Sequence, residues 1–269
     1  MLNISRKWNL VRELALKDLK VRYQRPLLGF LWLLLSPLFT VSIFYLVFSL
    51  ILKVRIEGAP FILYLMSAVF PWRFFQDSLM QSTTSLIDSR NLIKESGFAQ
   101  YLIPVSIVLA NVINFLPSLF ILIIASLFVL KGLPPAIIFL PAILTLHTGI
   151  TMGLAIIFSI LYVKWRDIKY ILESALLLLF YLTPVFYSLS LVKEAFPPLC
   201  FKFYLYNPFV CILSLYRMTI LRGFYGIVQD DIGALYLVTL SVVFTAIVLA
   251  IGIYLYKRNR QNINDYLSY

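Results

Sequence analysis

KDLKVRYQRPLLGFLWLLLSPLF, residues 17–39, changes character at its middle. It opens with Lys17, Asp18, Lys20, Arg22 and Arg25, and after Arg25 the chain carries no charge until Lys53. A helix needs roughly 20 apolar residues to cross the hydrocarbon core of a bilayer, so the second half reads as a membrane span. Further uncharged runs cover residues 96–130, 132–163, 174–192 and 232–256. A sixth segment, about residues 60–81, qualifies if Arg73 and Asp77 are tolerated inside it. Composition agrees: 61% of the 269 residues are hydrophobic and 13% charged, against about 25% charged in a soluble domain. The expectation is an all-α membrane protein with six transmembrane helices, forming a single transmembrane domain over residues 1–269.

The basic half of the opening stretch belongs to an amphipathic helix over residues 8–24. At 100° per residue, Leu10, Val11, Leu14, Ala15 and Leu19 fall on one side and Glu13, Lys17, Lys20 and Gln24 on the other. Asp18 and Arg22 intrude on the apolar side, but they are an acid-to-base pair at i,i+4, as are Glu13 and Lys17. Such a helix lies in the headgroup plane. Pro26 turns Arg25 away from helical angles, so a bend precedes the first span. Residues 1–25 thus read as an interface helix, 26–256 as the six spans and 257–269 as a cytoplasmic tail.

Between the spans, residues 85–104 are polar at their centre and read as a short cytoplasmic helix joined to span 3. GLPP, residues 132–135, is a tight outer turn. Residues 188–230 are too long for a turn and contain Phe196-Pro197-Pro198 and Asn207-Pro208. The apolar pieces between these breaks are too short to span, and they suit short re-entrant helices on the outer face before the last span. The net charge of +11 follows this topology. With both termini in the cytoplasm, fifteen Lys/Arg lie inside and seven outside, the latter including Arg217, with Arg73 within a span. That is the positive-inside bias, and it makes a nucleic-acid reading unnecessary. The two cysteines, Cys200 and Cys211, fall in the outer segment, where a disulfide is possible but not diagnosed by spacing.

The chemistry points away from an enzyme. No GxxxxGK[ST] occurs, so the chain has no P-loop of its own. The single histidine, His147, sits in mid-span without a Cys/His/Asp cluster for a metal. No catalytic residue, metal ligand or resident cofactor is therefore assigned. Asp77 and Glu173 are the acids within spans, and each has a basic neighbour one turn away, Arg73 and Lys169. What the spans hold in abundance is aromatics, with 22 Phe, 17 Tyr and 4 Trp. Most serve as interfacial belts and packing. Sugar C–H faces also lie well on such rings, and Trp32, Phe39, Tyr181 and Tyr187 are the candidates for a glycan path.

The N-terminal LALKDLKVRYQRPLLGFLWLLLSPL, with Tyr23, Leu28-Gly29, Trp32 and Pro37, resembles the start of the membrane subunit of type-2 ABC exporters for polysaccharides. These are the O-antigen, capsule and teichoic-acid exporters. SLIDSRNLIKESGFAQYLIP, Arg166-Asp167-Ile168, LTPVFYSLSLV and LYNPFVCILSLYR follow in the family's order. Phe98-Ala99 departs from the family's Phe-Pro. The resemblance implies a homodimer in the bacterial cytoplasmic (inner) membrane, working with two copies of a separate ATPase that binds ATP and Mg. The cargo it implies is a polysaccharide on undecaprenyl pyrophosphate.

Site roles follow from the same resemblance. Asp88, Arg90, Asn91, Lys94 and Glu95 belong to a coupling helix that meets the ATPase. Pro184, Asn207, Pro208 and Arg217 belong to the outer gate. Arg22, Arg25 and Arg90 are candidates for meeting the pyrophosphate, beside their plain role as inner-face anchors. The alternatives are a type-2 ABC permease for another lipid or a small molecule, and an intramembrane enzyme acting on lipid-linked sugars.

Overall fold

The computed structural model describes residues 4–23, 31–54, 56, 59–96, 99–222, 224 and 233–266. Its centre is one helix, α3 (Phe61–Asp88), whose side chains are buried from Leu63 to Trp72. In a bilayer the tails are as apolar as leucine, so helices associate through close packing and hydrogen bonds. α3 shows two uses of polar groups: Ser82 donates to the Pro104 carbonyl of another helix at 3.4 Å, while Ser67, Thr83 and Ser85 turn their hydroxyls back onto the carbonyls of Tyr64, Leu79 and Ser82 within α3. A helix enclosed by protein can carry such residues, and α3 is accordingly less apolar than its neighbours.

Among the described residues, four stretches are long and apolar enough to cross a membrane: Leu34–Ile51, Leu102–Val129, Pro135–Lys164 and Ala234–Arg260. The first comprises α2 (Leu31–Phe44) and a π-helical continuation, Tyr45–Ile51. The second is α5 (Leu102–Val129) and the third a 3-10 turn leading into α6 (Leu140–Lys164). The fourth lies in the last helix, Ala234–Tyr266. α5 displays Ile113, Leu116, Phe120, Ile124 and Leu127 outward, a stripe at helical period that fits lipid tails. Between α5 and α6, Lys131 and Gly132 both take positive φ, 53° and 149°. The expected tight turn is therefore present, and the Arg222 guanidinium closes against Gly132 at 3.1 Å from where a Cβ would stand.

The amphipathic N-terminal helix is α1 (Ile4–Tyr23). Val11 and Ala15 on its apolar side are buried, while Arg12, Glu13, Leu16 and Lys17 are exposed. It packs along α5, and Val11 joins a second core with Leu86, Ile93, Leu102, Ile160 and Ile263. Gln24, Arg25 and Pro26, and so the expected bend, lie outside the described residues.

Three boundaries differ from the sequence reading. The expected cytoplasmic helix at 85–100 is divided, because α3 continues to Asp88 and α4 (Arg90–Ser96) starts after a turn at Ser89. Span 5 is α7 (Ile168–Leu182), about 22 Å at 1.5 Å per residue, which is shorter than a bilayer core. It stops because Thr183 precedes Pro184 and is held extended, φ −102° and ψ 143°. The outer segment folds into α8 (Leu189–Ala195), α9 (Pro198–Leu205) and α10 (Pro208–Ile220). α9 and α10 bend by 79° at their break and form either a broken span or a re-entrant loop.

The final helix, here α11 (Ala234–Tyr266), packs along α6 and α10. Its approach to α6 is set by glycines. A Cβ on Gly153 would stand 2.9 Å from the backbone of Val248 and Leu249, and one on Gly252 would stand 3.0 Å from the Gly153 carbonyl.

Candidate functional site

The most tightly specified polar site lies where the link between α7 and α8, residues 183–188, crosses α3 and α10. The link has no ladder of its own, so its backbone groups need partners. Two side chains from other elements donate to its carbonyls, and a third bonds the Thr183 hydroxyl. Asn207 donates through Nδ2 to Thr183 Oγ1 at 3.4 Å. Arg217 donates through Nη2 to the Val185 carbonyl at 3.0 Å. The Tyr64 hydroxyl donates to the Tyr187 carbonyl at 2.8 Å.

Each element is built for its part. Asn207 caps α10 by accepting from the Phe209 N–H at 3.0 Å, with Pro208 at the first helical position where no donor is needed. Arg217, in the last turn of α10, is fully buried. Its guanidinium carbon stands 3.5 Å from the Tyr64 ring centre, a cation–π contact. Its Nε and Nη1 have no hydrogen-bond partner among the described residues. The outer end of α10 is fixed to α5 by Ser126 Oγ donating to the Ile220 carbonyl at 2.6 Å.

A tyrosine relay extends from the link. The Tyr187 hydroxyl donates to the Tyr181 carbonyl at 3.0 Å and stands 3.2 Å from the Tyr204 hydroxyl. A hydroxyl has one proton, so Tyr204 is the donor in the second contact. Burial pushes the Tyr187 hydroxyl above its ordinary range, and Arg217 and Tyr204 only partly offset this. Beside the relay, the Phe186 ring stacks on Phe48 at 4.7 Å and Phe44 at 6.0 Å and approaches Phe180 and Tyr181. The link thereby joins α2, α7 and α10 in one aromatic and polar cluster.

Of the gate candidates, Pro184 lies in this link, Asn207 and Arg217 reach it by hydrogen bonds, and Pro208 opens α10 next to Asn207. One correction concerns Arg217, which was counted with the basic residues of an outer loop. It is an interior residue because tyrosine rings and a carbonyl replace its water. Of the glycan-path candidates, Tyr181 and Tyr187 come together here, whereas Trp32 and Phe39 lie exposed on α2, 45% and 56%. Sequence reasoning missed Tyr64, Tyr204 and Phe186. No local motif marks Tyr64 or Tyr204, and Phe186, inside LTPVFYSLSLV, meets Phe44 and Phe48 more than a hundred residues away.

At the other end, Asp88 is exposed and accepts from Thr84 Oγ1 at 2.7 Å. Arg90 and Asn91 are exposed while Ile93 is buried, so α4 is anchored by one face and displays the other. The side chains of Lys94, Glu95 and Arg22, and the whole of Arg25 and Phe98, lie outside the described residues. Arg73 turns to Thr40 Oγ1 on α2 at 3.1 Å. His147 is a packing residue, with Nδ1 3.4 Å from the Tyr216 hydroxyl and its ring edge-on to Phe74. Cys200 is exposed and Cys211 buried, and both are free thiols.

Comparison with known proteins places this arrangement. Residues 9–221 match the family model described as ABC-2 type transporter. An O-antigen export system permease protein RfbA of Klebsiella pneumoniae is 32% identical over 82% of this chain and 83% of its own length. A protein of the same name from Myxococcus xanthus is 28% identical over 69% of this chain and 70% of its own length. The polysialic acid transport protein KpsM of Escherichia coli is 20% identical over 93% of each chain. With the family model matched over most of its length, and with several helices apolar enough to cross a bilayer, the chain belongs to the ABC-2 type transporter family as a multi-pass membrane subunit.

Proposed function

We propose that this chain is the permease of an ATP-driven exporter that carries an O-antigen-like polysaccharide, linked to undecaprenyl pyrophosphate, across the bacterial inner membrane. The observation that carries this reading is the match, over 69–82% of the chain, to permeases named for O-antigen export. The working unit is a homodimer with two copies of a separate ATPase, which binds ATP and Mg. Each subunit contributes six spans with both termini in the cytoplasm. α3 is the second of these, α7 the fifth, and α8–α10 the outer gate.

The chain's own residues then divide the work. The exposed face of α4, with Arg90 and Asn91, and Asp88 at the end of α3 receive the push of the ATPase, while buried Ile93 passes it to the inner core and α1. The 183–188 link, held by Asn207, Arg217 and Tyr64, closes the outer end at rest. The tyrosines and Phe186 beside it offer ring faces and hydroxyls to passing sugar. Arg22, Arg25 and Arg90 meet the pyrophosphate at the inner face.

The test is co-expression with the partner ATPase, purification of the complex and measurement of ATP turnover with and without lipid-linked glycan. Stimulation by the glycan lipid supports the reading. Stimulation by a drug or short-chain lipid alone would assign another branch of the family. Replacing Arg25 with Ala should stop export while leaving assembly intact.

A further inference from the structure

We propose that the groove between the basic ends of α6 and α11 is a binding site for the phosphate headgroup of an anionic phospholipid. The groove has a volume of about 230 Å³ and is lined by Lys164, Trp165, Arg258, Asn259, Leu255 and Ile263, among others. It sits where two apolar spans end together, at Lys164 and at Arg260. That level is the boundary between hydrocarbon and headgroups. Trp165 is half exposed there, as tryptophans at the interface are.

The polar groups fit a phosphate. The Lys164 ammonium is held over the Trp165 ring, 4.3 Å from its centre. Arg258 reaches the Tyr254 hydroxyl at 3.5 Å, which leaves most of its planar fork for a phosphate, a group guanidinium binds bidentately. Asn259 donates one amide proton to the Leu255 carbonyl at 2.9 Å and keeps a second. Asp167 follows Lys164 closely in sequence but does not line the groove. Above the cations, Ile160, Leu161 and Leu255 form an apolar floor on which acyl chains can lie. Basic pockets between membrane helices at the cytoplasmic level bind anionic headgroups in this way.

A structural lipid suits the position better than the exported cargo. α11 packs on α6 and α10, whereas α2 packs on α3 and α5, so the groove and the exposed face of α2 belong to different helix pairs. The volume holds a phosphate and its glycerol, and no polymer. The α6–α11 pair is also the one whose close approach depends on Gly153 and Gly252. A lipid bridging the two helix ends would hold them together where the glycines end.

The experiment is native mass spectrometry of the full chain in mild detergent, with phosphatidylglycerol or phosphatidylcholine of the same acyl chains. Phosphatidylglycerol should be retained at least five-fold over phosphatidylcholine. The double variant K164Q/R258Q should lower that retention at least five-fold. K193Q/K202Q, at the α8–α9 groove, should leave it unchanged. Equal retention of both lipids, or full retention by K164Q/R258Q, overturns the proposal. A photoreactive phosphatidylglycerol on the unaltered chain gives a second measurement that needs no variant. Labelling should fall in residues 160–165 and 255–263, and labelling elsewhere overturns the site. Displacement by millimolar inorganic pyrophosphate would show a site for soluble phosphates, and loss of lipid on assembly with the ATPase would assign the groove to that partner. Either result defeats the lipid assignment.

Discussion

Arg217 and Tyr64, on α10 and α3, are stacked with 3.5 Å between the guanidinium carbon and the ring centre, and each then donates to the same link, at Val185 and Tyr187. One buried pair thus holds both a packing contact and two backbone partners. Replacing Arg217 with Ala removes a desolvated cation–π contact of about 2 kcal/mol and orphans a buried carbonyl at about 1–3 kcal/mol. A loss of about 2–4 kcal/mol is expected after relief of the buried charge is set against it. The measure is thermal unfolding in detergent. An Arg217→Ala protein as stable as the parent would show that water or lipid already satisfies the link.

Tyr64→Phe separates the ring from the hydroxyl. The stack on Arg217 stays, and only the donor to Tyr187 is lost, at about 1 kcal/mol. Stability should therefore change little while the link loosens. Hydrogen exchange at residues 183–188 should rise several-fold, with α10 unaffected. No change in exchange would mean that Arg217 alone fixes the link.

How far the fold was legible follows from the kind of signal each element carries. Leu102–Val129 and Ala234–Arg260 expose much of their apolar surface, and the uncharged runs 96–130 and 232–256 located them to within about six residues. α3 is enclosed by protein over much of its length, so its serines, Arg73 and Gln76 lowered the apolar signal although its side chains are buried from Leu63 to Trp72. Asn207 and Pro208 were visible because a proline break is local in sequence. Arg217 was misplaced because a basic residue near a predicted loop reads as solvated. Only the fold brings Tyr64, 153 positions away in the chain, against it.

Gly153→Ala should cost more than Gly149→Ala. A Cβ at 153 meets the backbone of Val248 and Leu249 at 2.9 Å, which cannot yield unless the helices separate. At 149 the close atom is the Thr245 methyl at 2.7 Å, a side chain that can turn. Overpacking costs about 1–3 kcal/mol, so Gly153→Ala belongs in that range and Gly149→Ala below it. Paired thermal scans decide, and equal costs would mean that α11 shifts as a unit.

On α4, stability and transport should separate. Ile93→Ala removes a buried anchor and should lower stability by about 2–4 kcal/mol. Arg90→Ala and Asn91→Ala alter exposed positions and should leave unfolding within about 0.5 kcal/mol. If this face receives the ATPase, the same two changes lower glycan-stimulated turnover at least ten-fold with the complex still formed. Normal turnover in both would move coupling to another surface.

The exposed face of α2 gives the test of assembly. Trp32, Phe39, Ile43, Leu46 and Leu50 point outward, and such a face is met by lipid or by a second copy. In a background of Cys200→Ser and Cys211→Ala, Phe39→Cys should form an oxidative cross-link between two copies in native membranes. Val41→Cys, at a position 2% exposed, should not. Phe128, 75% exposed on α5, supplies the contrast because its stripe fits lipid tails. Cross-linking through residue 128 with none through 39 would move the dimer interface from α2 to α5. The π-helical stretch at Tyr45–Ile51 and its rings on Phe186 would then face lipid, and the aromatic cluster would lose its claim to the glycan path.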